Sequence, residues 1–192
     1  NGRGKVANDH PFATVNPNYD AEAVPQRERD IEKAMGLLEA AGKAGYTTTF
    51  VAPTLLEIPQ LAELVQSQLK DIGMEITLNV ISTDTFYDSW CKVYDSTVEP
   101  TGCDGGEDFG IVDYGNRGTP DVYLVKAYAT GEWNSAHYVS EPFRAAVKEY
   151  QASLDDAGRK TAIAKIEQIA NEDVPYVIPY FYDYLHCYRN TF

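Results

Sequence analysis

The sequence predicts an α/β fold, a mostly parallel sheet flanked by helices. Three observations point to it. Apolar residues recur with two periods, that of an amphipathic helix and that of a half-covered strand. Segments of the two kinds alternate in the order helix, strand, helix, strand, helix, strand, helices, strand. No linker rich in Gly and Ser and no long internal repeat divides the 192 residues. Strands separated by helices need crossover connections, which give parallel pairing with helices on the sheet faces. In such sheets ligands sit beyond the carboxyl ends of the strands. That directs attention to the loops after Val51, Ile81 and Tyr114.

Residues 1–26 hold Pro11, Pro17 and Pro25 with Gly4, Asn16 and Asn18, and read as an extended approach segment without regular structure. Asp30 is a good N-cap, Glu32 suits the positive end of a helix dipole, and Ile31, Ala34, Leu37, Leu38 and Ala41 share a face. Gly42 stops that helix. Tyr46 to Val51 reads as a strand. Pro59 opens a second helix, with Leu61, Leu64, Val65, Leu69 and Ile72 on one side and Gly73 as its stop. Met74 to Ile81 alternates as a strand does. Thr83 to Tyr94 is expected as a short helix, Val93 to Glu107 as a polar loop, Phe109 to Tyr114 as a short strand and Gly115 to Pro120 as a tight loop. Asp121 to Tyr128 reads as a helix. A further helix runs from the Ser140 cap to about Ser153, turning Phe143, Ala146, Val147 and Tyr150 inward. Ala162, Ile163, Ile166, Ile169 and Ala170 mark the last helical stripe. Val174 to Tyr182 reads as a strand, pushed to a sheet edge or a break by Pro175 and Pro179.

The composition narrows the function. With 16 basic and 29 acidic residues the net charge is −13. Nucleic acid is excluded as the main partner, because phosphate binding needs a basic face. Docking on anionic lipid by charge alone is disfavoured on the same ground. At 44% apolar and 23% charged residues the chain is globular in type. No run of residues is long and apolar enough to span a bilayer, and no secretory signal opens the chain. Its start at Asn1 suggests a processed chain or an excised piece. Tyrosine is in excess, 14 against 7 Phe and 2 Trp. A ring with a polar tip suits half-wet surfaces and ligand clefts.

Catalytic and metal motifs do not emerge from the sequence. His10, His137 and His186 lie far apart, without the spacing of a helical metal site, and each is expected at the surface or in a hydrogen bond. No nucleophile elbow or phosphate loop occurs. Asp104, Glu107 and Asp108 depart from the ligand order of an EF-hand, and a solvated acidic loop is the favoured reading. Cys91 and Cys103 flank one loop, where a local disulfide and two free thiols are both open. Cys187 is expected to be buried. Recognition chemistry is present instead. Tyr87 and Trp90 lie one turn apart after a strand. Asp113, Tyr114, Asn116 and Arg117 cluster in the next loop, and Trp133, Asn134 and Tyr138 follow a Gly turn. Flat rings with a few polar groups are what small-molecule clefts use. The rival reading of Tyr87 and Trp90 is a core-facing pair.

The order of motifs resembles the C-terminal lobe of extracytoplasmic solute-binding proteins of family 5, the receptors of peptide, oligopeptide and nickel ABC importers. Asn8-Asp9-His10-Pro11, the helix from Asp30 to Gly42, Gln66 to Gly73 with Thr85-Phe86-Tyr87, and Asp113 to Arg117 with Pro120-Asp121 are similar to its successive motifs. The closing series is Asn134 to Tyr138, then Asp155-Asp156 and Arg159, then Glu172 to Pro175. Tyr114 stands where the family often has Trp, and the insert from Val93 to Asp108 lies outside its pattern.

The resemblance implies one lobe, residues 1–192, of a type II periplasmic-binding-protein-like fold. Its partners would be a peptide or other small solute, the N-terminal lobe, and an ABC permease. A monomer outside the cytoplasm is expected, periplasmic or anchored as a lipoprotein, without cofactor, metal or bond chemistry. Asp113 would hold a peptide's amino terminus, and Arg117 would hold a carboxylate or brace the loop. An isolated lobe would bind weakly. The alternatives are a sugar, an opine or a metal chelate as solute, a protein-interaction module, or an α/β hydrolase or transferase. Tyr176, Tyr180, Tyr182, Tyr184 and Tyr188 crowd the closing segment, where an interface with the other lobe is expected.

Overall fold

The computed structural model describes residues 4–90, 93–94, 103–104, 109–115, 117–129 and 133–183. Asn116, Cys91, Cys187, His186, Tyr184, Tyr188, Glu107 and Asp108 lie outside that set, so the expectations placed on them do too. Residues 93–94 and 103–104 are described by backbone alone, which leaves the Cys91–Cys103 disulfide outside as well. The chain divides into two compact units. One comprises Asn1–Arg27, Pro120–Val125 and Ser140–Phe192; the other comprises Glu28–Thr119 and Lys126–Val139.

The second unit is built on a β–α–β core. Helix α1 (Ile31–Ala40) starts where Asp30 accepts the Lys33 N–H, and Gly42 leaves it at φ 66°. Strand β2 (Thr47–Pro53) leads through α2 (Ile58–Lys70) to β3 (Glu75–Ile81). The strands are parallel, from Thr47 opposite Glu75 to Pro53 opposite Ile81. Gly73, at φ 82°, supplies the left-handed turn into β3 that a side chain would resist. Phe50, Ala52, Ile58 and Ala62 form the core, with Leu55, Val65, Ile76, Leu78, Phe109 and Ile111 against it. Gln66 Nε2 donates to the Ile76 carbonyl at 2.7 Å and ties helix to strand.

Helix α3 (Thr83–Trp90) is shorter than the sequence reading of Thr83 to Tyr94. The polar loop expected after it contains a small antiparallel pair, β4 (Val93–Tyr94) and β5 (Cys103–Asp104). The strand expected over Phe109 to Tyr114 reduces to one parallel bridge, between Val51 and Gly110. Val51 N–H donates to Phe109 O at 3.0 Å and Ile111 N–H to Val51 O at 3.2 Å. Beyond Ile111 no further ladder pairing is made among the described residues, and the Tyr114 hydroxyl is bonded to the Trp133 carbonyl.

The first unit is an antiparallel strand pair with two packed helices. Strand β1 (Gly4–Val6) pairs with β6 (Tyr180–Tyr182). The approach segment therefore holds a short strand, and the closing strand is shorter than the span Val174 to Tyr182. Pro175 and Pro179 have no N–H to donate to a ladder, which confines regular pairing to the residues after them. The short helix α4 (Asp121–Tyr123) continues as a π-helix, Leu124–Ala129, where an α-helix to Tyr128 was expected. Hydrophobic spacing over so few residues does not separate the two helix types.

Helix α5 (Glu141–Ala152) is capped by Ser140, whose hydroxyl accepts from Phe143 N–H at 3.3 Å. It buries Phe143, Ala146, Val147 and Tyr150, as its pattern predicts. Helix α6 (Asp156–Asp173), capped by Asp155, packs beside it and buries Ala162, Ile163, Ile166, Glu167 and Ala170. It ends at Val174, held in the left-handed region at φ 47°, before Pro175 blocks further helix.

One histidine departs from expectation. His10 is 3% exposed and its Nδ1 has no hydrogen-bond partner among the described residues. Its ring lies beside Phe12 and Tyr19, at 6.1 and 5.8 Å, and burial lowers its pKa to about 4 against the opposing pull of Asp9. The aromatic rings beside it exclude water from a residue that its sequence neighbours place in a polar stretch. No helix among the described residues is long and apolar enough to cross a membrane.

Candidate ligand-binding site

The candidate residues that the structure describes all fall in the second unit. Helix α3 begins directly after β3, where Ser82 Oγ accepts the Thr85 N–H at 3.2 Å. Thr83 Oγ1 donates to the Thr54 carbonyl at 3.2 Å and fixes the helix start to the loop after β2. Helical spacing then divides its rings. Phe86 turns into the core, while Tyr87 remains 38% exposed and Trp90 half-buried. Tyr87 and Trp90, three residues apart, meet edge to face at 5.8 Å.

Two loops extend this pair into a row. Tyr114 meets the Trp90 ring at 6.0 Å, and the Tyr114 and Trp133 rings are 6.2 Å apart. The Tyr114 hydroxyl donates to the Trp133 carbonyl at 2.9 Å, so one contact joins both loops by backbone and by ring. Each end of the row carries charge. At one end Asp113 faces Tyr87. Burial raises the Tyr87 phenol's pKa, the Asp113 carboxylate raises it further, and the Asp113 backbone N–H directed at it opposes both. At the other end the Arg117 guanidinium lies 5.6 Å and Lys126 Nζ 5.0 Å from the Trp133 ring centre. Cations are drawn to the negative face of an indole. Arg117 also donates to the Gly115 carbonyl at 2.9 Å, which tightens its own loop.

Asn134 and Tyr138 do different work. Asn134 is fully buried; its Nδ2 donates to Tyr138 O at 2.8 Å and its Oδ1 accepts from Tyr138 N–H at 3.0 Å. The side chain thus acts as a backbone strand for the turn that presents Trp133. The Tyr138 ring rests edge-on against Tyr128 at 6.4 Å. Sequence reasoning missed Lys126. It sits seven residues before Trp133, in a segment read as plain helix, and only the folded turn brings the two together.

The Trp90 indole N–H is buried and meets no acceptor among the described residues. Nor, among them, is there a group of three or more His, Cys, Asp or Glu placed to hold a metal ion. The arrangement offers stacking surface and opposite charges at its ends, which is the chemistry of holding a dipolar ligand.

Residues 1–135 match the family model described as bacterial extracellular solute-binding proteins, family 5, middle. No curated protein matches the sequence. Among solved structures, the periplasmic binding protein DppA from Helicobacter pylori, in complex with peptide STSA, superposes with TM-score 0.75 at 21% identity, over 94% of this chain and 34% of that one. The oligopeptide-binding protein AppA from Bacillus subtilis, in complex with a nonapeptide, gives TM-score 0.75 at 22% identity, over 94% and 37%. NikA from Staphylococcus aureus, in complex with Ni(L-His)2, gives 0.71 at 20%, over 91% and 36%. The chain therefore spans about a third of the length of these proteins. At these identities the likeness establishes the fold, the α/β architecture of type II periplasmic binding proteins.

Proposed function

This chain belongs to the bacterial extracellular solute-binding proteins of family 5, and from that premise we propose that it is one lobe of a receptor that captures short peptides for an ABC importer. The observation that carries the reading is the row Tyr87–Trp90–Tyr114–Trp133, with Asp113 at one end and Arg117 and Lys126 at the other. A free peptide has an ammonium at one end and a carboxylate at the other. Ring-to-ring steps of 5.8, 6.0 and 6.2 Å suit a short extended peptide, which rises about 3.3 Å per residue. Asp113 takes the ammonium and Arg117 the carboxylate. The rings contribute sequence-tolerant contact, so side-chain selectivity is loose. Uncharged sugars make no use of the charged ends.

The mechanism is binding followed by closure of two lobes, with no bond made or broken. Ligand favours the closed state because only there does it contact both lobes. The partners are the second lobe and a permease, and the protein works outside the cytoplasm, free or held by a lipid anchor.

Calorimetric titration of the two-lobed protein with tripeptides tests the assignment. Asp113→Ala is expected to weaken binding at least about tenfold, the scale of one charged hydrogen bond. Acetylating the peptide's amino terminus should cost the native protein as much and the variant almost nothing. Unchanged affinity in Asp113→Ala would remove Asp113 from the site.

A further inference from the structure

The first unit holds a buried acid that the candidate site does not use. Glu167 is 0% exposed among the inward residues of α6, and neither carboxylate oxygen has a hydrogen-bond partner among the described residues. The groups around it are few. Tyr19 and Asp20 face it from the segment that crosses over α6, and Lys160 lies two turns earlier on α6 itself. Asp20 turns its backbone N–H toward the carboxyl without closing a hydrogen bond. Lys160 is already engaged with Asp20 at 3.5 Å. An unpartnered carboxylate in such a place is strongly disfavoured, so the group keeps its proton.

The covering segment is lightly held. One-turn backbone bonds shape it, from Asn16 to Ala13, Tyr19 to Asn16 and Ala23 to Asp20, with no helix or strand. Among the described residues its ties to α6 are the Asp20–Lys160 pair, half-buried at Asp20, and an exposed 3.3 Å bond from Gln168 Nε2 to the Ala23 carbonyl; at its end the Val24 carbonyl accepts from Asn8 Nδ2 at 3.4 Å. Ties to α6 this open to water contribute little. A cleft of about 580 Å³, lined by Asp20, Lys160, Thr161 and Gln168 among others, gives the segment room beside the helix.

We propose that Glu167 is a proton-operated latch on the segment Asn16–Val24. With its proton, the carboxyl is a neutral floor on which Tyr19 and Asp20 rest. Ionised, it cannot remain dry, it repels the Asp20 carboxylate and competes with it for Lys160, and the segment lifts. Burial pushes the Glu167 pKa up to about 8, the Asp20 N–H lowers it, the Asp20 charge raises it and Lys160 lowers it. The release is therefore set just above neutrality. His10 titrates at the other end of the scale, lowered to about 4, and takes no part in the alkaline step. Its ring does report on it, because Tyr19 lies against it at 5.8 Å.

Amide hydrogen exchange on the 192-residue chain, corrected for the intrinsic rate, reads the latch. Protection of residues 16–24 is expected to fall at least about tenfold between about pH 6 and 9, while amides of α5 keep theirs. The His10 ring resonances should shift over the same range. In Glu167→Gln, which keeps the shape and cannot ionise, protection stays flat. Should that variant not fold, Asp20→Asn serves: it removes the like charge and frees Lys160, so the fall must move to lower pH. Constant protection in the native chain would overturn the proposal. So would an undiminished fall in Glu167→Gln, or a midpoint unmoved in Asp20→Asn.

Discussion

Asn134 shows how one side chain supports a candidate site by bonding to its own turn. Both ends of its amide are spent on the Tyr138 backbone, so the turn carrying Trp133 has a fixed shape. Asn134→Ala removes both of these bonds to the half-buried Tyr138 backbone and leaves a cavity where the buried amide stood. It should cost about 2–3 kcal/mol in urea denaturation, the usual scale for two lost hydrogen bonds and a small cavity. A loss below about 0.5 kcal/mol would mean that the turn holds itself. Residue types were legible at this scale: Tyr87 and Trp90 stand out as rings on the short helix after a strand, and Asp113, Tyr114, Arg117 and Trp133 as rings and charges in loops. Their division of labour was not. Whether an amide faces a ligand or its own backbone depends on a turn geometry that spacing does not encode. Lys126 was invisible for the same reason, since its partner ring lies across a turn.

At the level of elements, local signals were sufficient wherever the element is held by its own backbone. The expected caps Asp30 and Ser140 accept from Lys33 and Phe143 N–H, and Asp155, not singled out as a cap in the sequence, accepts from Gly158 N–H in the same way. Ser140→Ala should lower stability by about 1 kcal/mol, and Ser140→Gly by only a few tenths, because glycine leaves the N-terminus open to water. Equal losses in a denaturant titration would show that the hydroxyl's bond is not what matters. Strands were legible only in part. Segment 109–111 has strand-like residues but a single bridge to Val51, and residues 174–182 pair only over Tyr180–Tyr182. A strand exists through its neighbour, and the neighbour is not in the local pattern.

For the molecule as a whole, two buried groups set opposing pH limits. Glu167 has a folded pKa of about 8 above its ordinary 4.5, so its contribution is complete below pH 4.5 and is lost as pH rises toward about 8. His10 has a folded pKa of about 4 below its ordinary 6.5, so its contribution is complete above pH 6.5 and is lost as pH falls toward about 4. Each changes stability by about 1.4 kcal/mol per pH unit within its window. Between pH 4.5 and 6.5 the two slopes cancel, which places the stability maximum of this pair there. Urea midpoints measured against pH should form a plateau in that range and decline on both sides. Glu167→Gln should remove the alkaline decline and leave stability rising with pH up to 6.5 through His10 alone. A maximum above about pH 7.5 would contradict the assignment of Glu167.

The amino-acid sequence by itself determined the α/β class and the helices with most of their caps and stops. Those features follow from the spacing of apolar residues and from bonds that close within a few residues. Only the tertiary structure decided which rings join the row from Tyr87 to Trp133, that His10 and Glu167 are dry, and where pairing stops along the sheet edges. Burial and ring contact are set by residues distant in sequence, and a carboxyl or an imidazole changes its chemistry with the water it loses. The same −13 chain thus has a candidate site organised by a few ring contacts and one segment held by a single proton.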